Sequence, residues 1–136
     1  NEETHYQLKI MSPLIRPLFA LAAIYDAVLG IAFLLAPSGI FAWLDLAPPN
    51  HLGYIQLPAA LLIVFAAMFA AIAMDPQRNR NLIPYGILLK ISYCGVVLFH
   101  WVTSELPFIW KPFFVADIAF LIAFVWAWKS LSEEPA

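Results

Sequence analysis

The sequence predicts an all-α membrane protein: a four-transmembrane-helix bundle with cytoplasmic N and C termini and a short interfacial helix in the first outer loop. The 136 residues are 63% hydrophobic and only 12% charged, with a mean hydropathy of +0.82. A soluble domain of this length is nearer half apolar and a quarter charged. Four apolar stretches also reach the length of about 20 residues that crosses a bilayer. We therefore expect a single integral membrane domain, 1–136, with lipid as its main solvent.

The predicted spans end at Pro, Gly, Asn or charged residues, as helices do. They lie at about 14–36, 52–74, 82–102 and 108–128, after a polar N-terminal segment, 1–12. Between the first two spans, the stretch "GIFAWLDLAPP" is too short to cross the membrane. It carries Phe41 and Trp43, which predicts a short helix lying in the membrane interface.

The distribution of lysine and arginine predicts the orientation. Lys111 alone falls in the outer loops, whereas five such residues flank the spans on the opposite side: Lys9, Arg16, Arg78, Arg80 and Lys129. Cytoplasmic loops carry the excess of positive residues. Both termini are therefore expected in the cytoplasm, most simply across a bacterial inner membrane. The net charge of −2 gives no indication of nucleic-acid binding.

Three ionisable residues lie well inside the predicted spans: Asp26, Lys90 and Asp117. With a rise of 1.5 Å per residue, Asp26 and Lys90 lie about 14 and 11 Å from the cytoplasmic ends near Pro17 and Ile83, and Asp117 lies about 14 Å from the outer end near Phe108. All three fall near the midplane, where one lysine side chain can reach two carboxylates. Tyr25 and Tyr93 lie next to this group in the sequence. We regard these five residues as candidates for binding a ligand or a proton.

Two interpretations of this group stay open from the sequence. In the first, the charges pair only to set the register of the helices, although a buried ion pair is weak evidence for stability. In the second, they form a polar site inside the bundle, because ionisable residues at membrane depth commonly mark functional sites.

A second set of candidates lies at the outer ends of the spans: His51, Gln56 and His100. Two imidazoles are able to bind a metal or a haem, or to move protons at a quinone site. No metal-binding spacing supports this, so no metal is predicted, and a quinone or haem cofactor has no motif behind it. The sequence also lacks the signatures of phosphate-binding loops, zinc proteases and serine hydrolases, so no catalytic residue is predicted.

The layout resembles the small four-helix bacterial membrane proteins of the DoxX-like kind and their uncharacterised relatives. The resemblance lies in the first helix and its continuation, "GIAFLLAPSGIFAWLDL", and in the polar turn "AMDPQRNRNLIP". It implies a four-helix bundle. Some such proteins are tied to quinol oxidation or redox maintenance, and many have no assigned role. The resemblance does not assign a functional role to any residue of this chain.

The expected function is that of a non-enzymatic accessory subunit or ligand-binding module of a larger membrane complex, such as a respiratory or quinone-linked one. Its expected partners are the lipid bilayer and either other membrane subunits or further copies of itself. One alternative is a proton-coupled or small-solute transporter that uses the Asp26, Lys90 and Asp117 group. A second alternative is a subunit of a redox or lipid-modifying membrane enzyme.

Overall fold

A computed structural model describes the backbone of residues 1–132 and the side chains of residues 1–3 and 13–131. This part of the chain is all-helical, as the sequence predicts. It contains five α-helices and one 3-10 turn: α1 (Glu2–Leu35), α2 (Pro37–Trp43), α3 (Gly53–Met74), the turn Arg80–Leu82, α4 (Ile83–Thr103) and α5 (Trp110–Ser132).

Four segments of these helices are long and apolar enough to cross a membrane, which confirms a multi-pass membrane protein at this level. They are Pro13–Leu35, Gly53–Met74, Arg80–Thr103 and Trp110–Leu131. Each predicted span falls on one of them. The short helix α2 coincides with part of the predicted interfacial stretch.

The backbone of the polar N-terminal segment continues helix α1 instead of forming a separate element. Asn1 caps the helix, since its side chain accepts a hydrogen bond from the backbone N–H of Glu3 at 3.0 Å. The carboxylates of Glu2 and Glu3 lie in the first turn, where they stabilise the helix by interacting with the positive end of its dipole. At 34 residues, α1 is longer than the hydrocarbon layer requires.

The outer surface of the bundle is apolar. Large hydrophobic side chains are exposed along all four long helices, among them Ile24 on α1, Val64 on α3, Leu88 on α4 and Ile122 on α5. Soluble monomers rarely expose apolar patches of this extent. An α-helix forms its backbone hydrogen bonds within the segment, which is the requirement for a segment that crosses lipid.

The four long helices form two closely packed pairs. Helix α1 packs along α3, and α4 packs along α5, whereas contacts between the pairs are fewer. Small residues permit the first of these approaches. A Cβ atom added at Gly30 of α1 would lie only 2.7 Å from the backbone oxygen of Ala59 on α3. We call α1 with α3 the first hairpin and α4 with α5 the second hairpin.

The shared core of the two hairpins occupies one half of the bundle, which we call the proximal half because it adjoins the α3–α4 connection at residues 75–82. Each of the four long helices contributes to it, through buried side chains that include Phe19 on α1, Phe69 on α3, Ile83 on α4 and Phe124 on α5. The ring of Phe19 stacks on that of Phe124 with a centroid distance of 4.8 Å. These aromatic contacts join the two hairpins.

The α3–α4 connection is held against the end of α5. The guanidinium group of Arg80 lies 4.3 Å from the ring centroid of Trp128, and its Nε atom donates to the Trp128 backbone oxygen at 3.2 Å. Asn79 donates from its side chain to the backbone oxygen of Ala71 at 2.9 Å, an oxygen that also accepts from the backbone N–H of Asp75. These polar contacts close the proximal end of the bundle.

Candidate functional site

The centre of the bundle contains a cluster of three charged residues from three helices. The ammonium group of Lys90 on α4 lies 3.0 Å from Oδ1 of Asp117 on α5 and 3.3 Å from Oδ1 of Asp26 on α1. All three residues are buried, with Asp26 and Lys90 only 1% exposed. The structure therefore brings together the three midplane residues singled out from the sequence. We call them the polar cluster.

The two ion pairs of the polar cluster are not equivalent. The bond from Lys90 to Asp117 lies within the second hairpin, whereas the bond from Lys90 to Asp26 joins the second hairpin to the first. The cluster adjoins the shared core. Phe120 and Phe124, one and two turns beyond Asp117 on α5, both belong to that core. Asp26 therefore supplies a charged contact between the hairpins beside their apolar one.

Aromatic rings surround the Lys90 ammonium group. Its Nζ atom lies 5.1 Å from the ring centroid of Phe120, 5.4 Å from that of Tyr25 and 5.8 Å from that of Phe69. Rings at this distance attract a cation through their negative faces, and the effect is strongest where water is excluded. With two carboxylates and three rings nearby, the lysine charge is well compensated at membrane depth.

Two buried polar atoms in and beside the polar cluster have no hydrogen-bond partner among the described residues: Oδ2 of Asp26 and the hydroxyl of Tyr25. A buried acceptor with no partner costs about 1–3 kcal/mol, and more when it is charged. These atoms belong to consecutive residues of α1, and both side chains approach Lys90. The Lys90 ammonium group thus has hydrogen-bond partners, whereas the two polar atoms without a partner both belong to α1.

The remaining midplane candidate, Tyr93, and its neighbour Cys94 are tied to α5 instead. The Tyr93 hydroxyl donates to the backbone oxygen of Trp110 at 3.3 Å. The Cys94 thiol lies 4.0 Å from the backbone oxygen of Phe114. Both contacts lie within the second hairpin, so these residues border the polar cluster without bonding to its charged groups.

The outer candidates make local contacts at the ends of their own helices. His51 accepts a hydrogen bond from the backbone N–H of Gly53 at 2.9 Å, and His100 packs edge-on against Phe99. Gln56 donates to the backbone oxygen of Leu34 at 3.2 Å and so ties α3 to the end of α1. Within the described part of the chain, no group of three or more His, Cys, Asp and Glu residues is placed to hold a metal ion.

Phe69 is the neighbour of the polar cluster that the sequence does not reveal. It lies on α3, which contributes no charge to the cluster, and nothing in its local sequence separates it from other apolar residues of that helix. The helical spacing of Phe120, three residues after Asp117, is a signal that places its ring on the same face as the carboxylate. The packing of Phe69 depends on the rotation of α3, which hydropathy does not specify.

Fold and cluster together define a class: a multi-pass helical membrane protein with an ion-paired polar group buried inside its bundle. No protein-family model, no curated protein and no solved structure matches this chain. The resemblance to the DoxX-like proteins therefore stays a prediction from layout. The function must be inferred from the cluster itself.

Proposed function

We propose that this protein is a non-enzymatic ligand-binding module of the membrane, acting beside other subunits, and that the polar cluster is its binding site. The unpartnered Oδ2 atom of Asp26 supports this most strongly. A purely structural ion pair is stable only when its remaining lone pairs are also satisfied. In the polar cluster one carboxylate oxygen stays open although Asp26 is 1% exposed, so a ligand that donates to it would be stabilised there.

The charge of the polar cluster supports the same proposal. Two ionised carboxylates and one ammonium group leave a net charge of −1 in an apolar environment. A charge at membrane depth that is not neutralised is costly. The ion pair alone needs only one carboxylate, so the second is better explained by a function than by helix register.

An accessory role is supported by the surface of α5. Ala119 is exposed on this helix, whereas Ala127 on the same helix lies in the shared core. Exposed small residues let a neighbouring helix approach closely in lipid, where packing and not the hydrophobic effect drives association. Ala119 is accordingly the position on α5 that we propose for contact with a partner subunit.

The proposed orientation places the proximal end of the bundle in the cytoplasm of a bacterial cell, with α2 in the opposite interface. The excess of Lys and Arg at that end supports it, with Arg78 and Arg80 in the α3–α4 connection. We expect a thiol reagent that does not cross membranes to label Asn50→Cys but not Gln77→Cys in intact cells, both in a Cys94→Ala background. Labelling of Gln77→Cys alone would reverse the orientation.

Ligand binding is tested by the effect of native material on stability. We expect a small-molecule extract of the protein's own membrane to raise the thermal unfolding midpoint of the purified protein in lipid nanodiscs. Ligand that binds only the folded state stabilises it in proportion to the logarithm of its concentration. Asp26→Asn should abolish the rise, and Asp45→Asn, at an exposed position, should keep it. An extract without effect on the unsubstituted protein contradicts the proposal.

A transporter built on the same cluster is the weaker candidate. From the polar cluster to the proximal end, the bundle is filled by the shared core, including the stacked rings of Phe19 and Phe124. A solute crossing the membrane would have to separate the hairpins there. Close packing makes such a separation a discrete rearrangement and not a small adjustment.

A further inference from the structure

The ligand of the polar cluster has to complement two specific atoms. Oδ2 of Asp26 is an acceptor, and the hydroxyl of Tyr25 both accepts and donates. Neither has a hydrogen-bond partner among the described residues. Both side chains lie beside Lys90, whose Nζ atom is 3.3 Å from Asp26 Oδ1 and 5.4 Å from the Tyr25 ring centroid. A ligand that binds both unpartnered atoms must offer at least one N–H or O–H donor, because Oδ2 of Asp26 only accepts.

The charges around these atoms favour a cation. Lys90 of α4 and Asp117 of α5 lie beside Asp26, and α3 contributes the ring of Phe69, whose centroid is 5.8 Å from Lys90 Nζ. Tyr93 and Cys94, the other titratable groups that border the cluster, are engaged with backbone oxygens of α5. With both carboxyl groups ionised, this set carries two negative charges and one positive charge, so a single added positive charge makes the site neutral.

We propose, on the basis of the ligand-binding role above, that the ligand is a small cation carrying hydrogen-bond donors, either an ammonium-type group or a proton delivered by water. An ammonium-type group donates to Oδ2 of Asp26 and to the Tyr25 hydroxyl, whereas a proton binds Oδ2 and turns it from an acceptor into a donor.

Other classes of ligand fit these residues less well. An anion would meet two carboxylates. Hard metal cations take six or more oxygen ligands or keep several waters, and the described residues offer no group of three or more side chains suited to a metal. A large headgroup would have to displace the Tyr25 ring, which packs against Phe113 and Phe120 at centroid distances of 6.3 and 5.3 Å. The size, the charge and the hydrogen-bond donors that these residues require of a ligand thus all indicate a small cation.

The test compares defined cations on the purified protein in lipid nanodiscs at constant ionic strength. We expect ammonium and methylammonium chloride to raise the thermal unfolding midpoint, with the rise growing as the logarithm of concentration. Sodium, and tetramethylammonium, which has no N–H donor, should have no effect. A pH series without ammonium distinguishes the two proposed ligands, the ammonium-type group and the proton. A shift with pH alone that Asp26→Asn abolishes identifies the proton, and a shift with ammonium at fixed pH identifies the N–H cation.

Two substitutions locate the effect. Asp26→Asn should abolish it, and Tyr25→Phe, which leaves both ion pairs intact, should weaken ammonium binding roughly 2- to 10-fold, as expected for one lost hydrogen bond. Asp45→Asn is the matched control, because Asp45 is exposed and its positive φ of 54° is one that Asn tolerates. The control should respond like the unsubstituted protein.

Two results overturn the inference. One is the absence of any response to ammonium, methylammonium or pH, and the other is an equal response in the unsubstituted protein, Asp26→Asn and Tyr25→Phe. The cations can leave the unfolding midpoint unchanged while the native membrane extract still raises it in the unsubstituted protein and not in Asp26→Asn. In that case the proposed ligand class is wrong and the binding site stands. If the extract fails as well, both proposals fall.

Discussion

Replacing Lys90 by Met is expected to destabilise the folded bundle by about 3–5 kcal/mol, which is the range for removing one partner of a buried ion pair. Lys90 is the cation between Asp26 and Asp117, at 3.3 and 3.0 Å. Methionine fills much of the same volume among the aromatic rings but leaves two carboxylates facing each other in an apolar interior. Reversible unfolding in detergent micelles measures the loss.

Two comparison variants separate charge from packing in this experiment. Lys111→Met removes a lysine whose ammonium group lies 5.1 Å from the Trp101 ring at the outer end of the bundle, and it should cost less than about 1 kcal/mol. The triple variant Asp26→Asn, Lys90→Met and Asp117→Asn carries no charge in the cluster. It should recover most of the lost stability, because the penalty arises from uncompensated carboxylates. A triple variant as unstable as Lys90→Met would show that the lysine acts through packing.

Replacing Gly30 by Ala is expected to destabilise the bundle by about 1–3 kcal/mol through overpacking. The added Cβ atom would lie 2.7 Å from the backbone oxygen of Ala59 and 2.8 Å from Cγ1 of Ile63. A backbone atom cannot move aside without shifting α3, so the first hairpin has to open. Small residues at such a contact are what let two membrane helices approach closely.

Gly95→Ala is the matched control for this contact, since Gly95 also lies inside a long helix. A Cβ atom there meets nothing within 4 Å. Both substitutions gain the same helix propensity, about 1 kcal/mol, so their difference isolates the contact between α1 and α3. Equal stability of the two variants would contradict the close packing of the first hairpin.

Hydropathy alone predicts much of this fold for a physical reason. Lipid offers no hydrogen bonds, so each apolar stretch has to form a helix, and the helix ends fall where Pro, Gly, Asn or charged residues occur. Depth is then a matter of counting residues along each helix. For this reason the sequence alone places Asp26, Lys90 and Asp117 at one level of the membrane.

The pairing of the helices and the details of the cluster do not follow from such counting. Rotation and tilt of a membrane helix are set by packing against its neighbours, and hydropathy does not contain them. The contact of Gly30 with Ala59 and the place of Phe69 beside Lys90 are of this kind. So is the difference between the two carboxylate oxygens of Asp26, one bonded to Lys90 and the other unpartnered.

The most direct test of a binding site in the polar cluster is the free energy of unfolding of Asp26→Asn without ligand, measured beside the unsubstituted protein. This substitution keeps the pair of Lys90 with Asp117, removes the surplus negative charge and removes the unpartnered charged oxygen. A site kept for binding predicts that the variant is as stable as the unsubstituted protein or more stable, as is common where function opposes stability. A loss of about 3 kcal/mol or more, the cost of breaking a structural ion pair, would contradict it and leave the cluster as a device that holds the hairpins together.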